Sequence, residues 1–286
     1  MAIAKSRIAI LGGRGMLGSD LDPACRRHGY EPIVLDLPEF DITKADHLER
    51  AVSGADLIVN CAAYTNVDGA ESDAELAHQV NAEAVGRLGA LARNRDKWIL
   101  HISTDFVFDG CCDKPYVETD LASPINTYGK TKLQGEQLLA QSGCRYCIMR
   151  LEWTYGSAGD NFVAKLLRRA KAGQEMKVVD DQIGSPTATT EAAKAICELL
   201  RKRPEGTFHF ASSGYVSRHG MARFVFDKLS MDVDPLACKS TDFSSPATRP
   251  LNSRFDCSKI SALLDVPIEP WQKPLEHFLR QLYPSG

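Results

Sequence analysis

The sequence has no apolar stretch near the roughly 18 to 20 residues that a membrane-crossing helix needs, so no spanning segment is expected. Met1-Ala2-Ile3-Ala4-Lys5-Ser6 lacks the charged start, long apolar run and small-residue cleavage site of a leader, so none is expected there either. Charge of one sign is also scarce. A formal net charge of -3 and a pI near 6.2 leave no broad basic field for a nucleic-acid backbone. The short basic runs Leu167-Arg168-Arg169 and Arg201-Lys202-Arg203 read as solvated helix ends. An even cysteine framework is missing: nine cysteines scattered through apolar segments suit reduced, core-filling thiols, and with them a cytoplasmic setting. The one CxxC, Cys144 to Cys147, offers too few ligands for zinc, and its odd spacing on a strand sends the thiols to opposite faces. Adjacent Cys111 and Cys112 fall in a turn-rich stretch and carry no signal. Internal repeats, heptad arrays and low-complexity linkers are absent.

What is present is 286 residues with 44% hydrophobic content, enough to bury a substantial core. Short β-branched runs alternate with helix-period stretches, the pattern of βαβ units in a parallel sheet. Arg7 to Leu11, Pro32 to Leu35, Leu57 to Val59, Ile99 to Ser103 and Cys147 to Leu151 read as strands. Leu17 to His28, Asp46 to Ser53, Ala74 to Arg93 and Tyr128 to Gln141 read as the helices between them. After Leu151 come helices over Asn161 to Ala172 and Thr189 to Arg201, a strand over Thr207 to Ala211 and a final helix over Gln272 to Leu282. The expected fold is α/β: a doubly wound parallel Rossmann sheet over residues 1–152, with 188–211 packing back onto it. Residues 153–187 and 212–286 are expected to form a smaller C-terminal α/β substrate lobe.

Directly after the first strand comes Gly12-Gly13-Arg14-Gly15-Met16-Leu17-Gly18, at the turn where backbone must approach a pyrophosphate and a helix N-terminus offers N–H donors. Both GxGxxG (Gly13, Gly15, Gly18) and GxxGxxG (Gly12, Gly15, Gly18) can be read here. The second strand ends at Asp36, about where a carboxylate would accept from the adenosine ribose of NADH. Arg14, however, lies where a guanidinium could meet the 2′-phosphate of NADPH, so both cofactors stay open. Asp41-Ile42-Thr43 reads as a loop that holds adenine and caps the next helix.

Tyr128 and Lys132 stand four residues apart on one helix face. The spacing alone is common; its place, past a phosphate loop and a fourth strand ending Ser103-Thr104-Asp105, gives it meaning. Ketone reduction needs a hydride donor and an acid for the developing alkoxide. A phenol serves when a nearby ammonium favours its anion. Tyr128 is thus the expected acid, Lys132 its tuner and Thr104 a donor to the carbonyl oxygen.

These residues resemble the dTDP-4-dehydrorhamnose reductases, within the extended short-chain dehydrogenases. The matching stretches run almost end to end: Gly12 to Gly18, Asn60 to Asp68 with Glu71, and His101 to Gly110. Tyr116, Glu118, Asp120, Pro124, Asn126, Tyr128 through Glu136, Arg150 to Gly156, Asp181 to Thr187 and Arg249 to Arg254 continue them. The resemblance implies a catalytic set of Thr104, Tyr128 and Lys132, a cofactor wall of Ala62, Ala63 and Tyr64, and a sugar-nucleotide side of Thr104, Asp105 and Trp153. The reaction it implies is NAD(P)H-dependent reduction of dTDP-4-dehydro-L-rhamnose, by a monomer or homodimer. Phe106 stands where a Tyr is usual, and Leu151-Glu152 replaces a Thr-Ser pair, which alters the sugar pocket rather than the hydride chemistry. Some members are dimers bridged by Mg²⁺ through glutamates. Asp20 and Glu191 come nearest such positions, without a third carboxylate, so no metal is expected.

Two other readings stand beside this one: a reductase of another nucleotide 4-keto-deoxysugar, and a non-catalytic relative resembling the regulatory subunit of methionine adenosyltransferase. The intact Thr104, Tyr128 and Lys132 set argues against the second. Epimerases and dehydratases add acid/base residues after the strand Thr or Ser that Asp105-Phe106 does not supply.

Overall fold

The computed structural model describes residues 5–283; Met1 to Ala4, part of the stretch read for a leader, lie outside the described residues. The main sheet has six strands: β1 (Arg7–Leu11), β2 (Glu31–Leu35), β3 (Leu57–Asn60), β4 (Trp98–Thr104), β5 (Arg145–Leu151) and β6 (Gly206–Phe210). The helices are α1 (Met16–Arg27), α2 (Ala45–Gly54), α3 (Ala74–His78), α4 (Ala84–Asn94), α5 (Thr127–Gln141), α6 (Phe162–Lys171), α7 (Thr189–Lys202), α8 (Arg218–Lys228) and α9 (Gln272–Leu282), besides shorter turns. All pairings within this sheet are parallel, in the order β6-β5-β4-β3-β1-β2, so the chain switches direction across β1 and opens a crevice at the carboxyl ends of β1 and β3.

The strands are apolar on both faces because helices cover both. Ile8 and Ile10 of β1 pack with Leu57, Val59, Trp98 and Leu100 under Leu21 of α1 and Ile196 of α7. Ala9 and Leu11 point the other way, with Ile58 and Ile99, under Leu48 of α2, Leu88 of α4 and Leu139 of α5. The CxxC divides as its spacing requires: Cys147 lies in the first layer and Cys144 in the second. All nine cysteines are free thiols.

The stretch from Ala74 to Arg93 is not the one regular helix that its periodicity suggests. Between α3 and α4 the chain makes a wide π turn over Gln79–Glu83. That turn points Asn81 inward, where its amide oxygen accepts from Tyr64 N at 2.8 Å and its nitrogen donates to Tyr64 O and Thr131 Oγ1. Gly135 of α5 then fits against the Asn81 carbonyl, which would stand 2.0 Å from any Cβ there.

After β5 the order is more intricate. α7 packs on α1, and β6 pairs with β5 from Gly206↔Cys147 to Phe210↔Leu151, so this segment extends the main sheet. α6, α8 and α9 pack with Trp153, Tyr155 and Trp271 in a separate apolar cluster. Two-stranded pairs join Lys177–Val179 to Leu236–Cys238, Ile183–Gly184 to Val216–Ser217 and Thr154–Tyr155 to Thr187–Ala188. Among the described residues no helix is long and apolar enough to cross a membrane.

Candidate active site

A cleft of about 820 Å³ runs along the carboxyl ends of the strands. Gly12, Gly15, Met16, Leu17, Asp36, Asp41, Ile42, Ala62 to Tyr64, Thr104, Asp105, Tyr128, Lys132 and Trp153 line it, whereas Gly13, Arg14 and Gly18 do not. At one end Gly12 takes φ +72°, and a Cβ there would stand 2.7 Å from the Ala62 backbone. Gly18 meets the Gly12 carbonyl so closely that its Cβ would lie 2.5 Å away. The Gly12, Gly15, Gly18 frame is therefore the one that brings the turn against β3. Gly15 begins α1 without a side-chain cap, and the first turn has no acidic residue. Its N–H groups, beside Met16 and Leu17, thus remain for an anion. The residues present fit a dinucleotide pyrophosphate on both counts.

Asp36 accepts from Arg14 N at 2.7 Å and from Leu37 N at 2.8 Å, which clamps the turn and leaves lone pairs facing the cleft. The Arg14 guanidinium pairs with Glu39 at 2.7 Å on the surface. Asp41 does not cap α2. Its carboxylate accepts from the amide and hydroxyl of Thr43, at 2.9 and 2.7 Å, and α2 begins behind Lys44 with no side-chain cap. A local turn to Thr43 captures the short side chain before it can reach the helix. Ile42 stays buried in the cleft wall, opposite Ala62, Ala63 and Tyr64.

At the other end Asn126 caps α5, accepting from Gly129 N at 2.8 Å and donating to Thr248 O at 2.8 Å. A Cβ on Gly129 would stand 2.1 Å from the Phe106 carbonyl, so the helix settles directly onto the turn after β4. Tyr128 is thereby set against Phe106, edge to face at 5.5 Å. Burial pushes the Tyr128 hydroxyl up to about 12, the Thr104 hydroxyl opposing and the Asp105 carboxylate adding to it. The expected ammonium is not against the phenol. Lys132 Nζ donates to Ile102 O at 2.7 Å and lies 3.4 Å from His101 Nε2, while burial lowers Lys132 to about 8 against the charges of Glu136 and Cys61. Same-face spacing fixes where α5 presents Lys132; the β4 carbonyl decides where its amine goes.

Thr104 accepts from Phe106 N at 3.2 Å and donates to Asp105 Oδ1 at 3.1 Å. Asp105 is buried, and its other oxygen accepts from Ser253 Oγ. Burial raises its carboxyl to about 6, against those hydrogen bonds and the charge of Arg218. Trp153 closes this end in the left-handed region, φ +47°, a strained conformation for an indole-bearing residue.

The family model of the RmlD substrate binding domain matches residues 6–283, nearly the whole chain. The chain belongs to that family. It is similar to the dTDP-4-dehydrorhamnose reductase of Aggregatibacter actinomycetemcomitans, 36% identical over 95% of this chain and 98% of that one. The protein of that name from Mycobacterium tuberculosis is likewise 36% identical, over 96% of this chain and 93% of its own length. Among solved structures, the dTDP-4-dehydrorhamnose reductase of Bacillus anthracis in complex with NADP superposes with a TM-score of 0.93 at 32% identity, covering 97% of this chain and all of that one. The UDP-glucose 4-epimerase of Thermus thermophilus, complexed with NAD, shares the fold at a TM-score of 0.85 and 18% identity.

Several residues around the family cleft escape a reading of the sequence alone. Arg218, from the start of α8, lies over Trp153 and Phe162 and lines the cleft. Glu152, noted only as a departure, is buried and accepts from Ser185 N at 2.8 Å and Phe255 N at 3.3 Å. Burial first, then the Asp105 carboxylate, raises its carboxyl well above the ordinary range. Nothing local in the sequence marks Arg218; a carboxylate at a strand end full of apolar residues was the available signal for Glu152. Asp20 accepts from Thr189 Oγ1 at 2.5 Å and Glu191 pairs with Lys194 at 2.6 Å.

Proposed function

We propose that the chain reduces the 4-keto group of dTDP-4-dehydro-L-rhamnose to give dTDP-L-rhamnose, with NADPH or NADH as reductant. The observation that carries this is one continuous cleft, walled at one end by the Gly12 to Gly18 cradle and at the other by Thr104, Tyr128 and Trp153. When bound, the nicotinamide cofactor supplies the hydride. The cradle and the N-terminus of α1, with Gly12, Arg14, Gly15, Met16, Leu17 and Gly18, bind its pyrophosphate side. Asp36, Asp41 and Ile42 hold the adenosine, and Ala62, Ala63 and Tyr64 form the opposite wall.

Tyr128 delivers the proton to the C4 alkoxide. Its raised pKa keeps the hydroxyl protonated at neutral pH, as a proton donor must be at the start of the step. Thr104 turns its hydroxyl to the keto oxygen as charge develops there, and Asp105 takes up the sugar hydroxyls. Trp153 offers an indole face to the sugar. Lys132 serves both cofactor and acid. The main sheet, residues 1–152 with 188–211, holds the cofactor; residues 153–187 and 212–286 form the substrate lobe. The free thiols fit a cytoplasmic protein, working as a monomer or homodimer. The relatives' names support the sugar, and the NADP in the Bacillus anthracis complex supports the cofactor.

The test is a spectrophotometric assay of NADPH and NADH oxidation with a panel of nucleotide 4-keto-deoxysugars, followed by the stereochemistry of the product. Preference for another sugar moves the assignment within the fold. Cofactor binding without oxidation by any of them overturns the enzyme and favours a scaffold role.

A further inference from the structure

The buried hydrogen bonds behind Lys132 have a direction, and it can be worked out from the one group whose role cannot change. The backbone N–H of Ala62 can only donate, and it lies 3.1 Å from Asn60 Oδ1. That fixes the Asn60 amide, so its nitrogen is the atom 3.1 Å from His101 Nδ1. Nδ1 therefore accepts, and the neutral imidazole carries its proton on Nε2. Nε2 lies 3.4 Å from Lys132 Nζ. An N–H facing Nζ needs a lone pair there, which an amine has and an ammonium lacks.

The alternative fails by count. A charged Lys132 would need Nε2 as acceptor, hence a proton on Nδ1, hence an Asn60 oxygen turned toward it. The Asn60 nitrogen would then face the Ala62 N–H, donor to donor. One such clash remains wherever the chain is broken, among side chains of which Asn60 and His101 are fully buried and Lys132 is 2% exposed.

We propose that His101 is a positioning residue that, oriented through Asn60 by the Ala62 amide, holds Lys132 as an amine against the Ile102 carbonyl, so that Lys132 takes up a proton when the cofactor draws it into the cleft. The charged and titratable groups acting at Nζ are His101 from β4, Cys61 just past the end of β3 and Glu136 from α5 itself. Glu136 is held by Arg150 of β5 at 2.6 Å, which mutes its pull on the lysine. Burial brings Lys132 down to about 8 against the charges of Glu136 and Cys61, and burial, then the nearness of Lys132, holds His101 well below its ordinary value, so the ring is neutral and its Nε2–H facing Nζ favours the amine further.

The uptake rests on the dinucleotide reading of the cleft; the ring tautomer does not. Long-range ¹⁵N–¹H spectra of the cofactor-free protein, with His101 assigned by its loss in His101→Phe, should show a neutral ring protonated on Nε2. A proton on Nδ1, or a charged ring, overturns the proposal. Calorimetric titration with NADPH at pH 7, in buffers of different ionisation heat, should show proton uptake. A lost hydrogen bond is equivalent to roughly half to one pH unit at Lys132, so uptake in His101→Phe should fall roughly three- to ten-fold. Equal uptake in both proteins overturns the linkage. If NADPH does not bind at all, the cofactor reading falls and the tautomer alone decides the role of His101.

Discussion

The guanidinium carbon of Arg218 lies 3.6 Å from the centre of the Trp153 ring, over an indole that its own backbone holds at φ +47°. Arg218 also faces the raised carboxyls of Asp105 and Glu152, so one cation fixes the aromatic wall and offsets two buried acids. Arg218→Met keeps the length and apolar contact but removes the charge. A cation–π contact of about 0.5 to 2 kcal/mol corresponds to a rise of roughly 2- to 30-fold in KM for the nucleotide sugar. Steady-state kinetics would check this, with kcat changing less; an unchanged KM would reduce Arg218 to packing.

Asp105 gives a stability prediction with a definite sign. Its folded carboxyl, at about 6, is a weaker acid than the ordinary value of 3.8, so the folded state binds the proton more tightly. Stability from this group is complete below about pH 4 and declines as pH rises toward 6, levelling above it. About two units correspond to at most about 3 kcal/mol. Asp105→Asn should therefore raise Tm by a few degrees, more at pH 8 than at pH 4.5, while lowering kcat/KM for the sugar. Thermal melts giving the same gain at both pH values would make the effect one of packing.

The sheet and its helices were legible because burial on both faces leaves continuous apolar runs, such as Ile8 to Leu11, between helix-period stretches. Gly12 and Gly18 were legible because close backbone approach admits no other residue. The π turn was not, since its cause is a contact between Asn81 and Thr131, fifty residues apart. Arg218 reaches the cleft and Ser253 reaches Asp105 from more than one hundred residues further along the chain, and no spacing rule connects them. His101 reads as one more strand residue until the neighbouring strand supplies Asn60. Asp41 shows the opposite failure: the residue type suited a cap, but Thr43 was nearer than the helix.

Tyr128→Phe removes the proton donor and keeps the ring that packs on Phe106. Turnover should fall roughly 10² to 10⁴-fold, the usual contribution of a general acid, with NADPH affinity by fluorescence titration unchanged. An unaltered kcat would remove Tyr128 from the chemistry.

The last prediction concerns cofactor choice at Asp36. Its oxygens already accept from the amides of Arg14 and Leu37, at 2.7 and 2.8 Å, so the carboxylate both shapes the turn and faces the ribose site. Asp36→Ala should weaken both cofactors through the loosened turn. NADH should suffer more, because its free 2′-hydroxyl loses an acceptor, whereas the phosphate of NADPH is relieved of a like charge. Arg14 can then help the phosphate, since its pair with Glu39 is solvent-exposed and contributes roughly 0 to 1 kcal/mol. The ratio of the two dissociation constants, measured on one protein preparation, isolates the ribose effect from the loss common to both. A ratio that stays at the wild-type value would leave Asp36 as a brace for the turn alone.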